Sequence, residues 1–128
     1  MKQNSPFKFI LIIFIVCVLS LSACNASQAK LNLGEKVVDV KTEYKTGFFN
    51  IEGVYDTLEV VSSVNVTSGT LKYTLSDPGG NAIYAGTLES GDTLDETISL
   101  PPIKGNYFLN LDLIEFSGEY QFIITPKN

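Results

Sequence analysis

From Val37 onward, apolar and polar residues alternate with a period of two, and turn residues interrupt the alternation at short intervals. Leu58, Val60, Ser62, Val64 and Val66 form one such set. Leu71, Tyr73 and Leu75 form another, as do Tyr107, Leu109, Leu111 and Leu113, and then Tyr120, Phe122 and Ile124. Val38, Val40 and Thr42 alternate in the same way with Asp39, Lys41 and Glu43. A period of two sends successive side chains to opposite faces of an extended strand, so each run offers one face to a core. No window longer than ten residues holds a helical period. The chain is therefore restricted to sheet structure, and alternating strands need a partner sheet to cover their apolar faces.

The interruptions set the expected strand count. Thr46-Gly47, Gly53, Ser68-Gly69, Glu89-Ser90-Gly91-Asp92 and Ser117-Gly118 read as turns, while Pro101-Pro102 and Pro126 stop strands because proline donates no ladder hydrogen bond. Asp77-Pro78-Gly79-Gly80-Asn81 reads as a hairpin with type II chemistry, Pro presetting φ and the glycine after it free to take positive φ. The spacing predicts a single antiparallel β-sandwich of about eight short strands, Ig-like or jelly-roll-like, over residues 37–128. A loose Gly-led rhythm shared by residues 69–75, 105–111 and 118–124 is what any strand starting after glycine looks like, so no internal repeat is expected.

Ahead of this body lies a different kind of segment. Lys2 and Lys8 flank a short polar start, and Phe9 to Leu21 is an almost unbroken apolar run. Its length of about thirteen residues suits the core of a signal peptide, whereas a spanning helix needs about 20 apolar residues. The run ends in Leu21-Ser22-Ala23-Cys24, which resembles the lipobox of bacterial lipoproteins at all four positions. That resemblance implies that Leu21, Ser22 and Ala23 are read by a signal peptidase and that Cys24 takes a diacylglyceryl lipid and becomes the new N-terminus. Two acyl chains hold a protein stably on a bilayer where one does not. The expected organisation is a lipoprotein signal peptide over 1–23, a lipidated cysteine and flexible tether over 24–36, and the sandwich over 37–128. The setting this resemblance implies is the extracytoplasmic face of a bacterial membrane.

Charge and side-chain inventory exclude several chemistries. Removing the leader leaves seven of the nine basic residues, all lysine, against fourteen acids, a net charge of −7. Such a surface does not neutralise phosphates, so nucleic acid is not an expected partner. The chain has no histidine, which removes Ser-His-Asp triads, Cys-His dyads and His-ligated zinc. Cys17 lies inside the apolar run and Cys24 at its end, so residues 37–128 hold neither a disulfide nor a catalytic thiol.

A second pattern concerns the body. Leu71-Lys-Tyr73-Thr-Leu75-Ser-Asp77-Pro-Gly-Gly-Asn81, then Gly105-Asn-Tyr107-Phe-Leu109 and Gly118-Glu-Tyr120-Gln-Phe122, resembles pre-peptidase C-terminal domains. These are small jelly-roll-like sandwiches attached to secreted enzymes, and related sandwiches occur in carbohydrate-binding modules. The resemblance covers roughly residues 56–125 and implies a fold, since its motifs are strand and turn grammar. Residues 1–55, ahead of it, are not expected to form a catalytic domain.

Candidate sites are few. Asp77, Asp92, Asp95 and Glu96 are the carboxylates that calcium would take, together with Glu89 and loop carbonyls. Their spacing matches no calcium loop, so a solvated acidic loop is expected, with Asp77 bonding its own turn. Asp112 with Glu115, or Asp92 with Glu96, supplies the carboxylate pair a glycosidase needs, but so small a domain has little room for a cleft. Phe48, Phe49, Phe108 and Phe116 include rings that must point away from the core. The second sheet or the tether is expected to cover them, whereas a contiguous exposed patch would mark a partner site. These features together predict a non-catalytic binding or accessory module of the cell envelope, taking an envelope protein or glycan, without a cofactor beyond the covalent lipid. The competing readings are a structural subunit of an envelope complex and a small carboxylate- or calcium-dependent hydrolase.

Overall fold

The computed structural model describes residues 30–128. The expected signal peptide, Leu21-Ser22-Ala23 and the lipidation site Cys24 lie outside these residues. Five strands form one antiparallel sheet: β1 (Leu31–Ile51), β2 (Thr57–Ser76), β3 (Ala82–Glu89), β4 (Thr93–Leu100) and β5 (Gly105–Lys127). The order is β1-β5-β2-β3, with β4 also pairing β2. β3 takes residues 70–76 of β2 and β4 takes residues 58–65, so β3 and β4 follow one another along the same edge of β2.

The sheet doubles back on itself. Registers slip between Val37 and Glu43 in β1 and between Val66 and Thr70 in β2, and the β3–β4 junction lies at the same level. Beyond this line the sheet forms two layers. The first layer holds residues 31–37, 118–127, 57–66 and β4; the second holds residues 41–51, 105–114, 70–76 and β3. Their inner faces meet: the Tyr73 ring of the second layer lies 5.4 Å from the Phe122 ring of the first. Leu31 lies over Gly47, where a Cβ would stand 3.0 Å from its Cδ1.

The core is the alternating set that the sequence marks. Leu58, Val60, Val64, Val66, Leu71, Tyr73, Leu75, Tyr107, Leu109, Leu111, Leu113, Tyr120, Phe122 and Ile124 are all buried. At roughly 1.5–3 kcal/mol for each fully buried large apolar side chain, this cluster is what offsets the entropy of ordering the chain.

Several expectations need correction. About eight short strands are expected and five are present, because Thr46-Gly47, Ser68-Gly69 and Ser117-Gly118 do not end strands. Gly69 (φ 74°) and Gly118 (φ 143°) take backbone conformations that let continuous strands bend, and Gly47 leaves room for Leu31. The tether does not reach Lys36: Leu31 to Lys36 pair with residues 119–124 of β5, and Leu31 and Leu33 pack against the core. In β1 the face that enters is the odd-numbered one, so Val38 and Val40 are exposed and Lys41, Glu43 and Lys45 point inward. The 77–81 hairpin forms, but Gly79 does not take positive φ. Asp77 O accepts from Gly80 N at 2.9 Å and Gly80 takes φ 83°, a type I turn followed by a left-handed glycine.

Candidate functional site

Folding a sheet double leaves two outer faces and two open sides. Each side is closed by a polar cluster linking the layers. Beside β1, Glu35 accepts from Lys41 Nζ and Lys45 Nζ, both at 2.7 Å, and from the Tyr120 hydroxyl at 2.9 Å. Glu43 also pairs with Lys41 at 2.7 Å. The Lys41 hydrogen bond, followed by that of Lys45, holds the Glu35 carboxyl down at about 2, and the same contacts push both lysines above their ordinary range. Beside β3 and β4, the Tyr84 hydroxyl donates to Glu96 and lies 2.9 Å from Ser62 Oγ. Burial first, and then the Glu96 contact, push the Tyr84 hydroxyl up. Ser62, wholly buried among apolar neighbours, thus keeps a partner.

The outer face of the second layer differs from the rest of the surface. Phe48 and Phe108 stand directly opposite each other on β1 and β5, exposed to 70% and 43%. Four residues along β1, on the same face, Tyr44 is exposed to 65%. Between these aromatic rows runs a polar one, in which Thr46 Oγ1 donates to Asn110 Oδ1 at 3.0 Å. Beyond Phe48, Asn50 Nδ2 donates to Asn106 Oδ1 at 2.6 Å. A shallow depression of about 230 Å³, lined by Tyr44, Lys72, Thr74, Asn110 and Asp112, extends the strip toward β2. Polar rows alternate with rows that carry aromatic rings across the sheet. Such a strip offers flat apolar rings and fixed hydrogen-bonding groups within reach of one ligand.

The outer face of the first layer is hollowed over Gly34. A wider depression of about 580 Å³ there is lined by Asn32, Gly34, Lys36, Ser63, Glu119 and Gln121 among others, with Tyr120 the one aromatic in its rim.

The remaining candidates separate. Phe49 and Phe116 are core residues, Phe49 stacked on Tyr107 at 4.9 Å. The expectation that the second sheet or the tether covers the outward rings does not describe Phe48 and Phe108. Asp77 Oδ1 accepts from Gly79 N and Asn81 N, both at 2.9 Å, as a turn former does. Asp92 Oδ2 accepts from Glu89 N at 2.8 Å at the bend, Asp95 is exposed on β4, and Glu96 faces Tyr84. Asp112 lies opposite Lys72 on the aromatic face, while Glu115 sits at the bend with φ 46°. Among the described residues no three carboxylates gather as a metal site would require. Sequence reasoning missed Tyr44, although Tyr44 and Phe48 stand four residues apart within one strand and so share a face.

Against known proteins, no family model matches the chain and no curated protein does so. Solved structures give distant likenesses. One is TmCBM61 in complex with β-1,4-galactotriose, 11% identical over 79% of this chain and 84% of that one, with a TM-score of 0.48. A second is a carbohydrate-binding module, CBM36, in complex with calcium and xylotriose, 12% identical over 75% and 98%, with a TM-score of 0.44. A third is a Bacillus endospore appendage protein, 11% identical over 77% and 86%, with a TM-score of 0.43. Likenesses at this level transfer neither ligand nor function to the chain.

Proposed function

We propose that this chain is a lipid-anchored, extracytoplasmic binding module of a bacterial envelope, and that the outer face of its second layer takes a glycan. The observation that carries the binding reading is the strip of Tyr44, Phe48 and Phe108 alternating with Thr46-Asn110 and Asn50-Asn106. A sugar ring has an apolar C–H face rimmed by hydroxyls. Aromatic rows and fixed amides in alternation complement that geometry, and a flat face with several spaced rings suits a polymer better than a small molecule. The anchor rests on the basic start, the apolar run and the lipobox-like Leu21-Ser22-Ala23-Cys24. A non-catalytic role is favoured because Asp112 and Glu115, and Asp92 and Glu96, are dispersed among a sheet face, the bend and a tyrosine hydrogen bond.

Affinity electrophoresis through gels containing purified envelope polysaccharides tests the face. At least one neutral or amino-sugar polymer should retard the domain. Phe48→Ala and Tyr44→Ala should each weaken that retardation about tenfold or more, since stacking rings at interfaces are worth about 1–3 kcal/mol. Val38→Ala, at an exposed site beside the bend, should leave it unchanged. Equal retardation of all three variants would exclude this face.

A further inference from the structure

The bends and the chain ends lie at opposite poles of the sandwich. All four bends, at residues 37–41, 66–70, 89–93 and 114–118, are at one pole. The loops 52–56, 77–81 and 101–104 and both described chain ends are at the other. We infer that this loop pole rests against the bilayer, with Val54 and Ile103 seated in its surface. The inference rests on the lipid anchor at Cys24 proposed above.

Chain length comes first. Leu31 stands opposite Ile124, three residues short of the Lys127 end of β5, which is about 10 Å along a strand. The seven steps from Cys24 to Leu31 span at most about 25 Å even fully extended. A lipid on Cys24 therefore keeps the loop pole within about 15 Å of the bilayer surface if the chain runs straight back past Lys127. The bend pole lies farther from the root of the tether by the length of a layer.

Apolar side chains are exposed at both poles, Val38, Val40 and Ile114 at the bends and Val54 and Ile103 at the loops, and it is the loop pair that lies on the side the tether holds near the bilayer. Val54 is exposed to 80% and Ile103 to 49%, each at a loop tip, and Pro102 lies beside Ile103. Neither loop is loose: Asp56 N donates to Lys127 O at 2.9 Å, and Ile103 N donates to the Tyr107 hydroxyl at 2.8 Å. Rigid loops present their apolar tips with little ordering cost on contact.

Charge is polarised in the same sense. The loop pole carries Lys30, Lys104 and Lys127 with Glu52, Asp56 and Asp77, an even balance. Asp39, Glu89, Asp92 and Glu115 gather at the bends, where Lys41 is the single base. An acidic domain tethered by acyl chains to an anionic surface is repelled least when its acids point away. The attraction here is apolar contact supplementing the lipid.

The test uses the full chain, matured in a bacterial host and reconstituted in phosphatidylethanolamine–phosphatidylglycerol vesicles containing brominated lipids. Cys17 and Cys24 are the only cysteines in the sequence, so Val54→Cys, Ile103→Cys and Val38→Cys each add one free thiol to the mature protein for an environment-sensitive fluorophore. The expected result is a blue shift and bromolipid quenching at positions 54 and 103, with neither at position 38. Adding Val54→Asp should return the label at 103 toward a water-exposed spectrum. If the protein carries the diacylglyceryl mass on Cys24 and floats with the vesicles, yet all three labels report water, the docking is overturned while the anchor stands. If the acyl mass is absent and Cys24→Ala fractionates like wild type, the anchor itself is wrong and the docking falls with it.

Discussion

Glu35 occupies a position where an edge strand turns its side chain inward, and it survives there because Lys41, Lys45 and Tyr120 converge on it. Inward charges on an edge strand also discourage pairing with a further chain. In the sequence, Lys41, Glu43 and Lys45 have the look of a solvent face. Val38 and Val40 look like the core because hydrophobicity alone assigns faces. What reverses the assignment is the bend, which brings Lys41 and Lys45 back over Glu35, a contact no local pattern encodes. The pH consequence follows from the lowered carboxyl. A carboxylate held at about 2, against 4.5 ordinarily, stabilises the fold fully above about pH 4.5 and loses that contribution as pH falls through 2. Glu35→Gln should cost about 1 kcal/mol at neutral pH, since the charge-assisted bonds are partly screened by water. The gap between variant and wild type in melting temperature should shrink below pH 4.5 and close near pH 2. A constant gap across that range would mean that the carboxyl titrates normally.

At the level of elements, a dipeptide ending in glycine has two outcomes. Gly79-Gly80 makes a hairpin, whereas Ser68-Gly69 and Ser117-Gly118 let strands bend without ending. A glycine with positive φ is common to both, so the sequence marks where the backbone departs from the strand but not whether pairing resumes. The hairpin was legible because Pro78 excludes a continuing ladder. The bends were not, because their partners lie far away in the chain. Gly69 and Gly80 separate conformation from contact. Both lie in the left-handed region, at φ 74° and 83°. A Cβ on Gly80 meets nothing within 4 Å, while one on Gly69 runs into the Glu115 carbonyl. Gly80→Ala should therefore cost about 1 kcal/mol, the left-handed penalty alone. Gly69→Ala should cost about 2–3 kcal/mol or more, because backbone must also shift. Urea midpoints measured side by side check this, and equal costs would mean that the bend is compliant.

For the whole molecule, the alternating runs sufficed to foretell an all-β chain and the buried residues of β2 and β5, though not the inward face of β1, since periodicity is a local property of a strand. The aromatic face was only half legible. Phe48 and Phe108 were visible as outward rings, but their direct opposition, and the amide rows between them, depend on the β1–β5 register. That register joins Leu31 to Ile124 and Ile51 to Gly105, and no local feature sets it. The same long-range pairing governs how the protein unfolds. β1, β2 and β5 each run through both layers, and the Glu35 and Tyr84 clusters tie the layers at their sides. Neither layer keeps its strands if the other is lost, so the two should melt as one unit despite the doubled architecture. Scanning calorimetry should give equal calorimetric and van't Hoff enthalpies, and amides of Val60 and Leu111, in different layers, should exchange with the same limiting free energy. Folding should be slow for the chain's size, in milliseconds to seconds, because distant strands must meet before any bend is held. Earlier loss of protection at Leu111 than at Val60 would show that the bend is a hinge between two separable sheets rather than a fold in one.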